Sequence, residues 1–251
     1  MADLIHTDDW EYLRQHTPAR LALGRAGHSL PTRQLLAFNM DHARARDAVH
    51  SGLDMPKVKS ELATFGLPVL HLRSQAADRR EYLLRPDYGR QLHETSRKQL
   101  DEGQYPPTDL CIVVADGLSA QAVNHHAVEV IKELLPILKE KHWQLAPLCL
   151  VEQGRVAIAD EIGEKLKARM VLILLGERPG LSSPHSLGAY LTYGPRVGLT
   201  DESRNCVSNI RPDGLTYERA AEKIMYLLQE MKTLGLSGVG LKDDSAGYLS
   251  D

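Results

Sequence analysis

Apolar and polar positions form two different patterns along the chain, and the change falls near residue 66. After that point, short and continuously apolar runs alternate with longer amphipathic segments, which is typical of buried strands followed by helices. Strands are predicted at 67–74, 80–84, 109–115, 145–151, 169–175, 187–193 and 206–210. Helices are predicted at 85–103, 120–140, 155–168 and 216–234. Pro136, within the second of these helices, is expected to kink it or to end it early.

This alternation predicts an α/β fold over residues 66–251, with a Rossmann-like, doubly wound and mostly parallel sheet. Continuously apolar strands fit such a sheet because helices cover both of its faces. A TIM barrel is the second possibility at this length. It requires eight strand–helix units, whereas this segment supplies about five or six.

The first quarter of the chain, residues 1–65, contains no convincing strand pattern and predicts a small N-terminal helical subdomain. After Thr32, apolar residues recur at roughly helical spacing. Shorter helices are expected at 19–27 and at 56–65. The predicted organisation is therefore a helical subdomain followed by a sheet domain.

The composition is that of a folded globular protein, with 251 residues, 43% hydrophobic and 25% charged side chains. A net charge of −3 and an aromatic content of 5% argue against nucleic-acid binding, which favours basic surfaces and aromatic stacking. The strongest apolar run, Met170–Leu175, is far shorter than the roughly 20 residues that cross a bilayer. We therefore expect a cytoplasmic protein with no nucleic-acid partner and no membrane association.

Thiol and imidazole groups give little sign of metal or nucleophilic chemistry. Cys111, Cys149 and Cys206 show no CxxC spacing, and the first two lie in apolar runs, which indicates a reducing compartment. His125 and His126 lie in a predicted helix, where neighbours diverge by about 100° and do not face one metal ion. The pair is expected at the surface, and no catalytic or metal-ligating residue is predicted.

Charge is unevenly distributed along the chain. Residues 1–98 carry 15 basic and 12 acidic side chains, whereas residues 99–251 carry 15 and 21. Twelve of the first 15 basic residues are arginine, which binds carboxylates and phosphates bidentately and favours interfaces. One hypothesis is a docking surface for a partner or an anionic ligand. The alternative is a set of solvated helix faces with internal ion pairs.

Candidate chemistry lies in the loops that follow predicted strands, because ligands bind at the carboxyl ends of parallel strands. Asp116 begins one such loop, where it would contact a ligand or belong only to a helix-capping turn. The loop 176–180 contains two glycines and a proline, so it presents Glu177 on a stiff turn and is the strongest candidate. The alternative is that Glu177 and Arg178 serve only in surface ion pairs.

Two further loops are weaker candidates. Arg155 and Val156 follow the strand at 145–151, where Arg155 could reach a phosphate and Val156 offers a backbone or apolar contact. Read alone, this is an ordinary strand-to-helix connection. Cys206 lies in a short polar strand, 205–209, where a packed and unreactive thiol is the simpler interpretation.

Several segments together resemble the small (light) chain of ethanolamine ammonia-lyase. They are ALGRAG (22–27) with PTR (31–33), LLRPDYGR (83–90), VVADGLS (113–119), GRVAIADEIGE (154–164), VLILLGERPGL (171–181) and CVSNI (206–210). The resemblance implies a hetero-oligomeric, adenosylcobalamin-dependent lyase that converts ethanolamine to acetaldehyde and ammonia through radicals. It also implies that substrate lies in the large chain and that the corrin lies between the two chains.

By this resemblance the cofactor contacts of the present chain fall on Val156, Glu177 and Cys206, and the arginine-rich N-terminal third docks the large chain. The D-x-H-x-x-G pattern of base-off cobalamin binders is absent, which fits a cofactor that keeps its own benzimidazole. Longer family members carry an N-terminal extension linked with packaging in a bacterial microcompartment, while this chain starts close to the shared core. The expected location is the cytoplasm, with a microcompartment as the alternative.

Two other classes of function stay open on the residues alone. One is a stand-alone Rossmann-like enzyme that acts on a small anionic metabolite through Asp116, Arg155 and Glu177. The other is a structural adaptor with no ligand near Glu177.

Overall fold

A computed structural model describes residues 5–243, which form a six-stranded sheet flanked by helices and a separate two-stranded sheet. The strands are β1 (Ile5–His6), β2 (Arg25–Ala26), β3 (Val69–Arg73), β4 (Thr108–Ala115), β5 (Leu148–Glu152), β6 (Ala168–Gly176), β7 (Leu187–Tyr193) and β8 (Arg204–Ile210). The helices are α1 (Thr32–His50), α2 (Met55–Ala63), α3 (Arg79–Leu84), α4 (Glu94–Glu102), α5 (Ala120–Ala122), α6 (Val128–Glu140), α7 (Ile158–Lys165) and α8 (Tyr217–Leu234).

The large sheet has the strand order β3-β5-β4-β6-β7-β8. The first four of these strands are parallel, whereas β7 and β8 run antiparallel to their neighbours. Parallel pairing requires a crossover, which the helices provide, while the connections 177–186 and 194–203 contain no α-helix and return antiparallel. A mixed α/β fold with a mostly parallel sheet is thus confirmed, and this open sheet is not a TIM barrel.

Both faces of the sheet are buried at its central strands, which explains why β4, β5 and β6 are almost continuously apolar, whereas the edge strands β3 and β8 are partly exposed. In β4, Ile112 and Val114 point into a core shared with α2, α6 and α8. Cys111 and Val113 of the same strand point into a second core, shared with α4 and α7. Successive side chains of a strand alternate between faces, so a strand covered on both sides needs an apolar residue at every position.

The predicted strand at 80–84 is wrong, because these residues belong to α3. The carboxylate of Asp78 accepts a hydrogen bond from the Glu81 amide at 2.8 Å, and Glu81 in turn accepts one from the Ala77 amide at 2.7 Å. The first of these bonds makes Asp78 the N-cap, and it satisfies an amide of the first turn and starts a helix. The predicted helix 85–103 is also shorter, since a 3₁₀ turn at Tyr88–Arg90 precedes α4.

The N-terminal region departs from prediction in a similar way. No helix forms at 19–27, and the expectation of no strand in residues 1–65 is wrong because β1 and β2 pair antiparallel. At Gly24, with φ +72°, an added Cβ would lie 2.6 Å from the His6 carbonyl oxygen, so the chain needs glycine to approach β1. The proposed boundary between residues 65 and 66 stays a prediction, and α2 packs into the first core of the sheet.

The long helix predicted at 120–140 is present as a continuous run of α5, a π-helical segment (Val123–Ala127) and α6. Pro136 does not end it, since α6 continues to Glu140. Pro136 lies on the exposed side of α6, where a backbone carbonyl that lacks an intrahelical donor faces solvent. Within residues 5–243, none of the helices has the length and apolar character needed to span a bilayer.

Candidate functional site

A cleft of about 590 Å³ opens at the carboxyl ends of β4, β5 and β6. The loops after these strands form its floor, and the crossover between β3 and α4 forms one wall. Tyr190 of β7 completes the opposite side. The lining residues are Tyr82, Arg90, Leu118, Arg155, Val156, Ala157, Leu175, Gly176, Glu177, Arg178, Tyr190 and Asp201.

Two glycines allow the loops of the floor to touch. Gly117 has φ +57°, and an added Cβ there would lie 2.3 Å from the Gly176 carbonyl oxygen. A Cβ on Gly176 would lie 2.0 Å from the Ser119 carbonyl oxygen. The Leu118 amide donates to the Gly176 carbonyl at 2.9 Å and closes the contact. The ends of β4 and β6 therefore form one rigid backbone surface.

Glu177 is half-buried, and its carboxylate is oriented by two neighbours. Its Oε2 atom accepts hydrogen bonds from the Ser186 hydroxyl and, at 3.3 Å, from the Asn209 amide. The Glu177 amide donates to the Ser186 carbonyl at 3.0 Å. In the part of the chain that the structure describes, Oε1 has no hydrogen-bond donor. A carboxylate held in this way keeps one oxygen for an external donor, such as an amide.

Val156 and Arg155 lie on the loop between β5 and α7. Val156 packs partly against the second core of the sheet and exposes the rest to the cleft. The Arg155 amide donates to the Gly89 carbonyl at 2.8 Å, and its Nη2 donates to the Tyr82 carbonyl at 3.0 Å. The structure thus brings Arg155, Val156 and Glu177 into one cleft.

Beneath the cleft, the buried ring of Tyr82 lies between two guanidinium groups. The central carbon of Arg155 is 4.4 Å from the ring centroid and that of Arg79 is 4.7 Å from it. The Tyr82 hydroxyl donates to the Gly154 carbonyl at 3.2 Å. Burial, followed by the nearby charge of Asp116, raises the pKa of Tyr82 to about 12, so the phenol stays neutral. These contacts fix the orientation of Arg155.

Asp116 lies below the cleft and does not line it. Its Oδ1 accepts from the Gly154 amide at 3.0 Å, and its Oδ2 lies 3.8 Å from Arg79 Nη1. Burial raises the pKa of this carboxyl to about 6, although Arg79 and the neighbouring amides oppose the shift. Neither interpretation of Asp116 describes its observed contacts. It does not line the cleft, Ser119 rather than Asp116 caps the following helix, and Asp116 ties the β5–α7 loop to the end of β4.

Cys206 is exposed on β8, and its backbone pairs with that of Tyr190, whose side chain lines the cleft. Desolvation raises the pKa of the Cys206 thiol and the Glu177 charge adds to this, while a hydrogen bond with Tyr190 acts against them. The thiol is therefore neutral at pH 7, which suits packing rather than nucleophilic attack. Cys206 borders the cleft through Tyr190 but is not one of its lining residues.

A family model described as Ethanolamine ammonia-lyase light chain (EutC) matches residues 7–242. The chain belongs to this family. It is 55% identical to the ethanolamine ammonia-lyase small subunit of Ralstonia nicotianae, over 95% of this chain and 90% of that protein. The small subunit of Azotobacter vinelandii is 56% identical over 94% and 88%, and that of Pseudomonas paraeruginosa is 53% identical over 98% and 91%.

Membership of the light chain family confirms the predicted resemblance and identifies the chain as one component of an ammonia-lyase complex. Four of the segments that carried the resemblance line the cleft, through Arg90, Leu118, the Arg155–Ala157 loop and the Leu175–Arg178 turn. Four of the stretches that carried the resemblance therefore meet at one place in the fold.

Sequence reasoning missed several residues of this light chain. Tyr82 was placed on a strand that does not exist, and Arg90 had a signal only in its family segment. His126 was expected at the surface but is buried, with Nδ1 2.8 Å from the Tyr217 hydroxyl and Nε2 3.1 Å from His185 Nδ1. Burial and then the neighbouring His185 lower the pKa of His126 to about 4. His125 is exposed, as predicted.

Proposed function

We propose that this chain forms one wall of an adenosylcobalamin site at the interface with the large chain of an ethanolamine ammonia-lyase. Val156, Glu177 and Cys206 contact the cofactor, and the large chain holds ethanolamine. The observation that carries the proposal is the oriented carboxylate of Glu177, which lines the cleft and keeps Oε1 without a donor among the described residues.

The residues of the cleft fit a corrin, which is a broad ring fringed with amide side chains. Glu177 Oε1 accepts from an amide NH₂, while Leu118, Val156 and Leu175 offer apolar contact. A cleft of about 590 Å³ suits a drug-sized ligand, and cobalamin is much larger. The rest of the cofactor would therefore be covered by a second surface. When bound, adenosylcobalamin supplies the radical that starts the reaction.

The position of the cleft in the sheet supports a Rossmann-like assignment. The connection from β4 carries α6 on one face of the sheet, and that from β5 carries α7 on the other. β5 and β6 lie on opposite sides of β4. In doubly wound sheets, this reversal of strand order opens a crevice at the carboxyl ends, where ligands bind.

The chain's own groups bind and orient the cofactor. Glu177 has no histidine partner in the cleft, and Cys206 is a neutral thiol. The stand-alone enzyme considered from sequence needed Asp116 at the ligand, and this residue is buried and bonded to the Gly154 amide. In the proposed complex, the radical chemistry takes place at the cofactor and in the large chain.

An exposed apolar surface on α1 supports the proposed docking role of residues 1–65. Leu35, Leu36, Phe38 and Met40 are 39–63% exposed. The charges around them are partly paired, as in the contacts of Asp41 with Arg20 and Arg44. These exposed apolar side chains are distributed around α1, and a partner that packs on the helix would bury them. The large chain is the proposed occupant. The cytoplasmic or microcompartment location stays a prediction.

The test is to co-express the chain with an ethanolamine ammonia-lyase large chain, saturate the complex with hydroxocobalamin, desalt it and record the cobalamin absorbance. Wild-type complex should retain cobalamin. Glu177→Ala should assemble normally and bind cobalamin about ten-fold or more weakly, because a charge-assisted hydrogen bond is lost. Glu140→Ala, at the exposed end of α6 and the opposite edge of the sheet, is the matched control. Equal affinity in both variants would refute the role of Glu177.

A further inference from the structure

Three arginines line the cleft without a carboxylate partner. Arg90, Arg155 and Arg178 come from three separate segments: the turn before α4, the β5–α7 loop and the loop after β6. Within residues 5–243, none of them lies within 4.0 Å of a carboxylate oxygen. Like charges in one cleft repel each other, so an arrangement of this kind calls for a compensating anion.

The two carboxylates of the cleft contact other groups, and three arginines against two carboxylates leave the cleft with a net charge of +1. Glu177 directs Oε2 to Ser186 and Asn209, and the Asp201 carboxylate lies 3.4 Å from Arg204 Nε. Arg90 and Arg178 are exposed and make no side-chain hydrogen bond with any described residue. Both guanidinium groups are therefore available to a ligand.

Arg155 is held in place, but one hydrogen-bond donor of its side chain has no acceptor among the described residues. Its guanidinium is stacked on Tyr82 and donates through Nη2 to the Tyr82 carbonyl. Its Nε atom is buried and has no hydrogen-bond partner in residues 5–243. A buried donor without an acceptor is uncommon in folded proteins, and Arg79 Nη2, beside the same Tyr82 ring, is a second one next to the cleft.

We propose that Arg90, Arg155 and Arg178 form an anion subsite that binds the phosphodiester in the nucleotide loop of cobalamin. This inference rests on the proposed function. The amides around the corrin are neutral, so the phosphodiester is the anionic group that the cofactor offers. Guanidinium groups bind phosphate oxygens with paired N–H donors, which a neutral amide does not replace. Glu177 would then hold the corrin fringe while the arginines hold the loop.

The experiment compares two ligands in the complex with the large chain. Hydroxocobalamin carries the nucleotide loop, and the corresponding cobinamide lacks it. Arg90→Gln and Arg178→Gln break no described side-chain contact, so they should fold and assemble like the wild type. Each should weaken hydroxocobalamin binding by about ten-fold and leave cobinamide binding unchanged. Arg155→Lys retains the charge but loses the paired N–H donors of the guanidinium group. It should show a smaller selective loss of hydroxocobalamin affinity.

Arg196→Gln is the matched control, because Arg196 is exposed near the opposite edge of the sheet and has no described side-chain partner. Equal weakening of both ligands, or of neither, would overturn the phosphodiester assignment. So would a loss of subunit assembly with ligand discrimination intact, since the arginines would then bind the large chain.

A free phosphate ester is the other source of this chemistry. The proposal predicts that inorganic phosphate competes with hydroxocobalamin but not with cobinamide. Phosphate bound in the cleft with cobalamin affinity unaffected would contradict it. If wild-type complex binds neither cobalamin nor cobinamide, the proposed function itself has failed, a result distinct from failure of the subsite.

Discussion

Arginine side chains meet opposite environments at two places in this fold. Arg204, at the start of β8, is buried and forms two hydrogen bonds with Asp160 of α7, at 2.6 and 2.7 Å. It also donates to the Thr192 hydroxyl at 3.1 Å and to the Leu199 carbonyl at 3.2 Å. In the cleft, by contrast, Arg155 leaves a buried donor unpaired among the described residues, and Arg90 and Arg178 meet no carboxylate of residues 5–243.

The difference separates a structural role from a binding role. Arg204 completes its hydrogen bonds within the chain, so its charge serves to join β8 to α7. In the cleft, Arg155 is placed by contacts that leave its Nε donor free, and Arg90 and Arg178 make no side-chain hydrogen bond with any described residue. A polar cluster that is complete within the chain should matter for folding, and one left incomplete should matter for ligand binding.

Breaking the complete cluster should have the largest effect. Arg204→Gln leaves the buried Asp160 carboxylate without its partner and should reduce the free energy of unfolding by about 3–5 kcal/mol. Urea unfolding of the purified chain measures this loss. Arg85→Gln, which breaks the exposed pair with Asp87, is the control and should change the urea midpoint little. Similar midpoints for the two variants would contradict the structural role of Arg204.

The histidine cluster around His126 extends the comparison to pH. His126 has a folded-state pKa of about 4, below its ordinary value of 6.5, and it faces His185, Tyr217, His125 and Arg211. Between pH 6.5 and 4 the unfolded chain binds a proton at His126 and the folded chain does not. The contribution of neutral His126 to the free energy of unfolding is therefore present above pH 6.5 and is lost as pH falls towards 4. The loss amounts to about 3 kcal/mol.

His126→Gln should therefore flatten the pH dependence of stability between pH 6.5 and 4, measured by urea unfolding at each pH. Asp116 changes the stability in the opposite direction, because its folded-state pKa of about 6 lies above the ordinary value of 3.8. The folded chain therefore binds a proton there more readily than the unfolded chain, which stabilises the fold as pH falls. Asp116→Asn should make the acid-side loss steeper. A steeper loss in His126→Gln would show that His126 is not held neutral.

The smallest effect on binding is expected at Cys206, which borders the cleft. A neutral thiol that packs against cofactor contributes only dispersion contacts, so Cys206→Ala should weaken cobalamin binding by a few-fold at most. Cobalamin titration of the complex measures this change. Normal cobalamin affinity with abolished turnover would instead show a chemical role for the thiol.

The sequence predicts those elements whose environment requires a recognisable pattern of neighbouring residues. The strand expected at 109–115 forms at Thr108–Ala115, because burial on both faces requires an unbroken apolar run. Glu177 was selected by the glycines and proline around it, which stiffen its turn. Tyr82, Leu83 and Leu84 fit a strand or a helix equally, and the Asp78 N-cap decided the outcome.

Other features depend on partners that are distant in the chain. The burial of His126 is set by His185 and Tyr217, 59 and 91 residues away, so no local pattern predicts it. The cleft itself joins Arg90, Arg155 and Arg178 only after the crossovers have placed three loops at one edge of the sheet. Each arginine on its own has the sequence context of an ordinary surface residue.

The most direct test of the proposed cobalamin wall is amide hydrogen exchange of the complex with the large chain, compared with and without bound cobalamin. We expect slower exchange on cobalamin binding at 153–157, 176–178 and 204–210, around the cleft. Unchanged exchange in these segments, with protection confined to 141–147 and 194–200 at the opposite edge of the sheet, would contradict it.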